Sequence, residues 1–80
     1  MEAELTRAQE YIKQGIVLYE QDKFEDARIY FEKAAAEDQM NDETYILIAQ
    51  TYIMQDDYAA ARENLKKALL IDKKNGTTYF

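Results

Sequence analysis

Cysteine, histidine, serine and tryptophan are all missing from this 80-residue sequence. Without them the chain lacks the usual enzymatic nucleophiles and imidazole bases. The same absences exclude disulfides and metal sites built from thiolates or imidazoles. We therefore expect a protein that is not an enzyme and that uses neither a metal nor another cofactor.

Long apolar runs are missing too. The longest covers residues 45–49, far short of the roughly 18 residues of a membrane span. Acidic Glu2 and Glu4 follow Met1 where a secretory leader would be basic. The net charge of -6 repels phosphate. These features predict a cytoplasmic protein that binds neither membranes nor nucleic acid.

The chain has no proline and only two glycines, which argues against a fold rich in tight turns or strands. A hydrophobic content of 48% is too high for a disordered chain. Apolar residues recur every three or four positions, which is typical of amphipathic helices. We predict an all-α fold with helices near residues 6–21, 23–38, 42–55 and 57–73.

Helix starts are predicted where a side-chain oxygen can accept free backbone N–H groups. An ordinary turn over residues 39–41 is favoured over one continuous helix, because Asn41 is followed by two acids. The expected starts are Thr6 with Gln9, Asp22 with Glu25, Asn41, and Asp56 or Asp57.

The sequence repeats itself with a period of 34 residues. When residues 8–41 are laid on residues 42–75, ten of the 34 positions are identical, against roughly two expected from average composition. The predicted organisation is a leader over 1–7, repeats over 8–41 and 42–75, and the truncated start of a third repeat over 76–80.

The period and its pattern of aromatic and small residues resemble the tetratricopeptide repeat family. The departures are Gln14 in place of the family's leucine, and Gln39 and Lys73 in place of its proline. The matching positions in the first repeat are Tyr11, Gly15, Leu18, Ala27, Phe31 and Ala34; in the second they are Tyr45, Ala49, Tyr52, Ala61, Leu65 and Ala68.

The resemblance implies antiparallel helix-turn-helix hairpins that stack as a fragment of a right-handed α-solenoid. Independently of the name, small residues are expected where paired helices approach closely, and larger residues in the surrounding grooves. The expected close-approach residues are Gly15, Ala27, Ala49 and Ala61, and the expected groove-filling residues are Phe24, Phe31, Tyr58 and Leu65.

The family is a binding scaffold, so the resemblance implies a protein or peptide partner in a concave groove lined by the first helix of each repeat. Members that bind chaperone tails hold a terminal carboxylate with basic and amide side chains. Here the matched positions are Ile12, Ile16, Gln50 and Phe80, so no such clamp is expected. The predicted groove is instead apolar and consists of Ile12, Ile16, Tyr19, Ile46, Gln50, Ile53 and Met54.

Two functions remain open at this point: binding of an apolar helix or extended peptide in the groove, or self-assembly that buries the same groove between copies. Two other possible sites, for bases and for a cation, are less favoured. The tyrosines at 11, 45 and 79 are interpreted as core aromatics and not as a ladder for bases. The acidic cluster of Glu37, Asp38, Asp42 and Glu43 matches no calcium loop and is interpreted as a solvated turn.

Overall fold

Four α-helices make up most of the described chain. The computed structural model describes residues 5–74. The helices are α1 (Arg7–Glu20), α2 (Phe24–Glu37), α3 (Asp42–Met54) and α4 (Tyr58–Lys74). The predicted all-α class is confirmed, and every predicted helix end lies within one residue of the observed end. Most of the predicted leader and the whole predicted third repeat lie outside the described residues.

Three of the four helix starts use the caps expected from the sequence. Thr6 and Gln9 form a reciprocal capping box, in which the Gln9 N–H donates to Thr6 Oγ1 at 3.1 Å and the Thr6 N–H donates to Gln9 Oε1 at 2.9 Å. The Asn41 side chain accepts a backbone N–H at the start of α3, and the Asp57 carboxylate accepts one at the start of α4. These contacts satisfy N–H groups that a helix leaves unpaired.

The start predicted at Asp22 is wrong. Asp22 has a left-handed backbone, with φ of 64°, and terminates α1. Its N–H donates to the Tyr19 carbonyl at 3.0 Å, and the Lys23 N–H donates to the Leu18 carbonyl at 2.9 Å. This is the Schellman pattern that closes a helix C-terminus. Asp56, one repeat later, has φ of 63° and closes α3 in the same way.

The chain turns between α2 and α3 instead of continuing as one helix. The first of these helices ends at Glu37 and the second begins at Asp42. Within the turn, the Met40 N–H donates to Asp38 Oδ1 at 3.3 Å. The predicted turn is therefore confirmed.

The helices pack as two hairpins, α1 with α2 and α3 with α4, and the hairpins meet where α2 packs against α3. Short connections of this kind join antiparallel neighbours. The core lies mainly at the junction between the hairpins, so each repeat stabilises the next. Its buried cluster consists of Ala27, Phe31, Ala35 and Ile48.

Gly15 lies where α1 packs tightly against α2, as predicted. A Cβ placed on Gly15 would lie 2.5 Å from Cε1 of Phe31. Because the Phe31 ring is fully buried, it cannot move aside easily. A side chain at position 15 therefore does not fit between the two helices without a shift.

Candidate functional site

The candidate site is the set of seven groove residues predicted above, which we call the concave face. Six of them form three pairs that lie 34 positions apart on α1 and α3: Ile12 with Ile46, Ile16 with Gln50, and Tyr19 with Ile53. The counterpart of Met54 is Glu20. Gln50 is exposed on α3. Four of the aliphatic members are between 36% and 51% exposed, a high value for large apolar side chains: Ile16, Ile46, Ile53 and Met54.

Two members of the concave face are less exposed than the other five. Ile12 and Tyr19 are half-buried and pack against the core cluster. The Tyr19 ring also meets the Phe24 ring edge-on, with centroids 5.2 Å apart. The exposed part of the α1 side of the groove is therefore mainly Ile16.

The residues at the carboxylate-clamp positions carry no positive charge. Ile12 and Ile16 are aliphatic and Gln50 is a neutral amide, while Phe80 lies outside the described residues. A clamp for a terminal carboxylate depends on positively charged donors aimed at it. The three described residues at these positions therefore do not supply such donors.

Most of the twelve signature positions are buried, and all of the small residues among them are. Leu18 is half-buried, like the tyrosines at 11, 45 and 52, and Leu65 is exposed. The remaining seven are buried: Gly15, Ala27, Phe31, Ala34, Ala49, Ala61 and Ala68.

Two residues that we expected to fill grooves do not do so. Leu65 is 39% exposed although its counterpart Phe31 is fully buried. The reason is that α3 covers this face of α2, whereas no described element covers the same face of α4. Tyr58 is exposed as well, at the first position of α4.

Lysine side chains cover the repeat tyrosines within each hairpin. The Lys33 Nζ lies 5.7 Å from the centre of the Tyr11 ring, and the Lys67 Nζ lies 5.7 Å from the centre of the Tyr45 ring. Both distances are within the range of a cation–π interaction. These tyrosines are therefore engaged within their own hairpins, which disfavours their use as a stacking surface.

Sequence reasoning missed an arginine that joins the two hairpins. Arg28 on α2 donates from Nε to Thr51 Oγ1 at 2.9 Å and from Nη2 to Gln55 Oε1. Its guanidinium carbon lies 3.7 Å from the centre of the Tyr52 ring. The clue in the sequence was that Arg28 recurs as Arg62 one repeat later.

Asp56 and Glu37 each have a partner outside the concave face. The pKa of Tyr58 is raised above its ordinary value of 10.0, first because its hydroxyl donates a hydrogen bond to Asp56 and then because the Asp56 charge opposes ionisation. Glu37 of the acidic cluster pairs with Arg7 at 3.9 Å. Between residues 5 and 74, no three acidic side chains are arranged to share a metal ion.

Comparison with known families identifies this architecture. The model of the tetratricopeptide repeat matches residues 18–79, which is more than half of the chain. The chain belongs to the tetratricopeptide repeat family. The match begins near the end of α1 and includes α2, α3 and α4. Comparison with curated proteins and with solved structures gave no significant match.

Membership of the tetratricopeptide repeat family assigns the chain to a class of protein-protein interaction scaffolds. The repeats of this class are generally non-catalytic. None of the helices in the described part of the chain is long and apolar enough to cross a bilayer.

Proposed function

We propose that this chain is a non-catalytic interaction module whose concave face binds the apolar side chains of a helix or an extended peptide. The observation that carries the proposal is the exposure of Ile16, Ile46, Ile53 and Met54 on two equivalent helices. Aliphatic residues clustered on a surface in this way usually mark a contact site. A cytoplasmic protein partner fits this surface better than nucleic acid does, given the net charge of -6.

The expected affinity is modest. A partner that buries three or four aliphatic side chains gains about 1.5–3 kcal/mol for each, before the cost of association and of ordering the peptide. This balance corresponds to a dissociation constant on the order of micromolar. Because the contacts are apolar, added salt should change the affinity little.

The first experiment selects peptides from a random library on the parent chain and measures their affinities for three variants. Ile16→Glu and Ile53→Glu place a charge in the concave face. Ile29→Glu is the matched control, because Ile29 is a 50% exposed isoleucine on α2, outside that face. We expect the first two variants to lose binding by at least about tenfold and the control to retain it. Helical circular dichroism should be unchanged in all three.

Two results would contradict this function. One is equal binding by the concave-face variants and the Ile29→Glu control. The other is loss of binding when the selected peptides are amidated at the C-terminus, because this would show that a carboxylate is recognised after all.

Self-assembly is the second candidate function, and a separate observation favours it. Leu69 and Leu70 on α4 are 63% and 59% exposed, and large apolar surfaces of this kind are uncommon on monomers. If copies associate, the sedimentation coefficient and the melting temperature should rise with protein concentration in the absence of any ligand. Concentration-independent values would rule this candidate out.

A further inference from the structure

Two adjoining open cavities lie on the first hairpin, one of about 640 Å³ along α1 and one of about 340 Å³ along α2. No residue of α3 or α4 lines either of them. We call the residues that line the two cavities the outer face. Its apolar and aromatic members are Leu5, Val17, Leu18, Ile29 and Tyr30. Three of them are between 47% and 50% exposed: Leu5, Val17 and Ile29.

The charges of the outer face cancel. Two acids and two bases line the cavities: Glu10, Lys13, Asp26 and Lys33. At the open end of the same hairpin, Arg7 and Glu37 also form a pair of opposite charges, 3.9 Å apart. The whole chain, by contrast, has a net charge of -6. A neutral surface of mixed sign is therefore where two copies of this acidic chain can approach with little repulsion.

The outer face is poorly suited to a helix that packs as α2 packs on α3. Its residues Glu10 and Gln14 stand 34 positions before Thr44 and Ile48. Thr44 and Ile48 are 1% and 2% exposed, because α2 packs against α3. The same packing on α1 would bury a carboxylate and an amide in their place, and this opposes association. Another arrangement is needed to cover this face.

The charges on α2 are spaced for a two-fold arrangement. Asp26 and Lys33 each lie about 5 Å along the helix from the midpoint between Ile29 and Tyr30. Reversing a second α2 helix about that midpoint places its lysine opposite Asp26 and its aspartate opposite Lys33. Within the part of the chain that the structure describes, the Asp26 side chain makes no hydrogen bond or ion pair. Lys33 Nζ lies 5.3 Å from the centre of the Tyr30 ring, beside the midpoint.

We propose that the outer face binds a second copy of this chain about a two-fold axis. The two α2 helices are antiparallel, and Asp26 of each copy pairs with Lys33 of the other. Ile29 and Tyr30 form the apolar centre. Gln14 lines the same cavity as Tyr30 and so lies near the axis, where the amides of the two copies can hydrogen-bond to each other.

This inference rests on the self-assembly candidate, which it assigns to a surface without Leu69 and Leu70. The outer face also contains none of the concave-face residues. A dimer of this kind leaves the concave face open, because the isologous interface uses the same patch of each copy. Peptide binding and self-assembly can therefore coexist in one protein.

The first test is sedimentation equilibrium of the full chain in about 0.15 M salt, which screens charges more than about 8 Å apart. We expect a reversible dimer with a dissociation constant on the order of 10 µM, as for a small interface. Ile29→Glu should weaken it by at least about tenfold, because two carboxylates meet near the axis. Ile16→Glu is the matched control, a 39% exposed isoleucine on the concave face. This control and Leu69→Glu should leave the constant within about twofold.

The second test exchanges the charges of the proposed pair. Asp26→Lys and Lys33→Glu should each weaken the dimer by at least about tenfold, because like charges then face each other twice. A chain with both substitutions keeps the net charge of the parent and should dimerise within about threefold of it. A mixture of the two single variants should form a heterodimer that is tighter than either homodimer. Helical circular dichroism checks that every variant is folded.

Four results would overturn the proposal. A monomer at all concentrations up to about 100 µM would leave the outer face to a different protein. A dimer that Leu69→Glu or Ile16→Glu dissociates and Ile29→Glu does not would keep self-assembly but place it on another surface. Failure of the double exchange to restore a dimer would contradict the two-fold pairing. A rise in dimer affinity of about tenfold or more on removing residues 1–4 would identify that segment as the occupant.

Discussion

The guanidinium carbon of Arg28 lies 3.7 Å from the centre of the Tyr52 ring, across the junction between the two hairpins. The same side chain donates hydrogen bonds to Thr51 and Gln55. One residue of α2 therefore contacts Thr51 and Tyr52 of α3 and Gln55 directly after it. Since stacked repeats are stabilised by the interfaces between neighbours, this contact ties the stability of one hairpin to that of the other.

Replacing Arg28 should weaken the junction between the hairpins. Arg28→Ala should lower the free energy of unfolding by about 1–2 kcal/mol, the sum expected for a cation–π contact and partly exposed hydrogen bonds. Arg28→Lys should recover only part of this, because an ammonium group cannot form the planar fork of a guanidinium. Urea unfolding followed by circular dichroism measures both. Arg62→Ala is the matched control, and a loss as large as that of Arg28→Ala would contradict the contact.

Two buried threonines on α3 should respond in opposite directions to the same substitution. Thr51 Oγ1 donates to the Ile48 carbonyl at 2.6 Å and accepts from Arg28, so Thr51→Val should cost about 1–2 kcal/mol. Thr44 Oγ1 is buried and has no hydrogen-bond partner among the described residues. Thr44→Val should therefore raise the unfolding free energy by up to about 1 kcal/mol. Equal denaturant midpoints for the two variants would refute this difference.

The close approach at Gly15 predicts a coupled effect with Phe31. Gly15→Ala would gain about 1 kcal/mol from helix propensity alone. The new Cβ would lie 2.5 Å from the Phe31 ring, so we expect a net loss of about 1–3 kcal/mol. The second repeat has Ala49 and Leu65 at the same two positions. Adding Phe31→Leu should therefore reduce the cost of Gly15→Ala, and strictly additive losses in a double-mutant cycle would argue against the clash.

The fold was largely predictable because its determinants are local or repeated. The capping box at Thr6, the cap at Asn41 and the 34-residue period each specify structure through neighbouring residues. Asp22 was misassigned because an acid followed three residues later by Glu25 suits a helix start, while the same acid also tolerates the left-handed position that ends the previous helix.

The candidate site was less predictable because burial depends on neighbours that are distant in sequence. Leu65 matches Phe31 in the repeat, yet only Phe31 is covered by a following helix. The contacts of Arg28 join positions 23 and 27 residues apart, which no local pattern reveals. The repeat could have suggested the arginine, but only the packed structure shows what it binds.

The hydrogen bond from Tyr58 to Asp56 predicts an abnormal tyrosine titration. Because this bond and the Asp56 charge raise the pKa of Tyr58 above 10.0, Asp56→Asn should lower it towards that value. The difference in tyrosinate absorbance between the parent and Tyr58→Phe isolates this group from the other tyrosines. Because the pKa of Tyr58 is raised in the folded state, the stability that its bond to Asp56 contributes is present below about pH 10. This contribution decreases as the pH rises further. If Tyr58 titrates at the same pH in the parent chain and in Asp56→Asn, the hydrogen bond is absent in solution.

The left-handed aspartates that end α1 and α3 predict a stabilising substitution. Asp22 and Asp56 have φ of 64° and 63°, a conformation that costs residues with a side chain roughly 1 kcal/mol relative to glycine. Asp22→Gly should therefore raise the free energy of unfolding by about 0.5–1 kcal/mol. Asp56→Gly should gain less, because it also removes the acceptor of the Tyr58 hydroxyl. Thermal unfolding of the two variants and of Asp22→Ala, which cannot relieve the strain, provides the comparison. A lower melting temperature for Asp22→Gly than for Asp22→Ala would show that this backbone conformation does not limit stability.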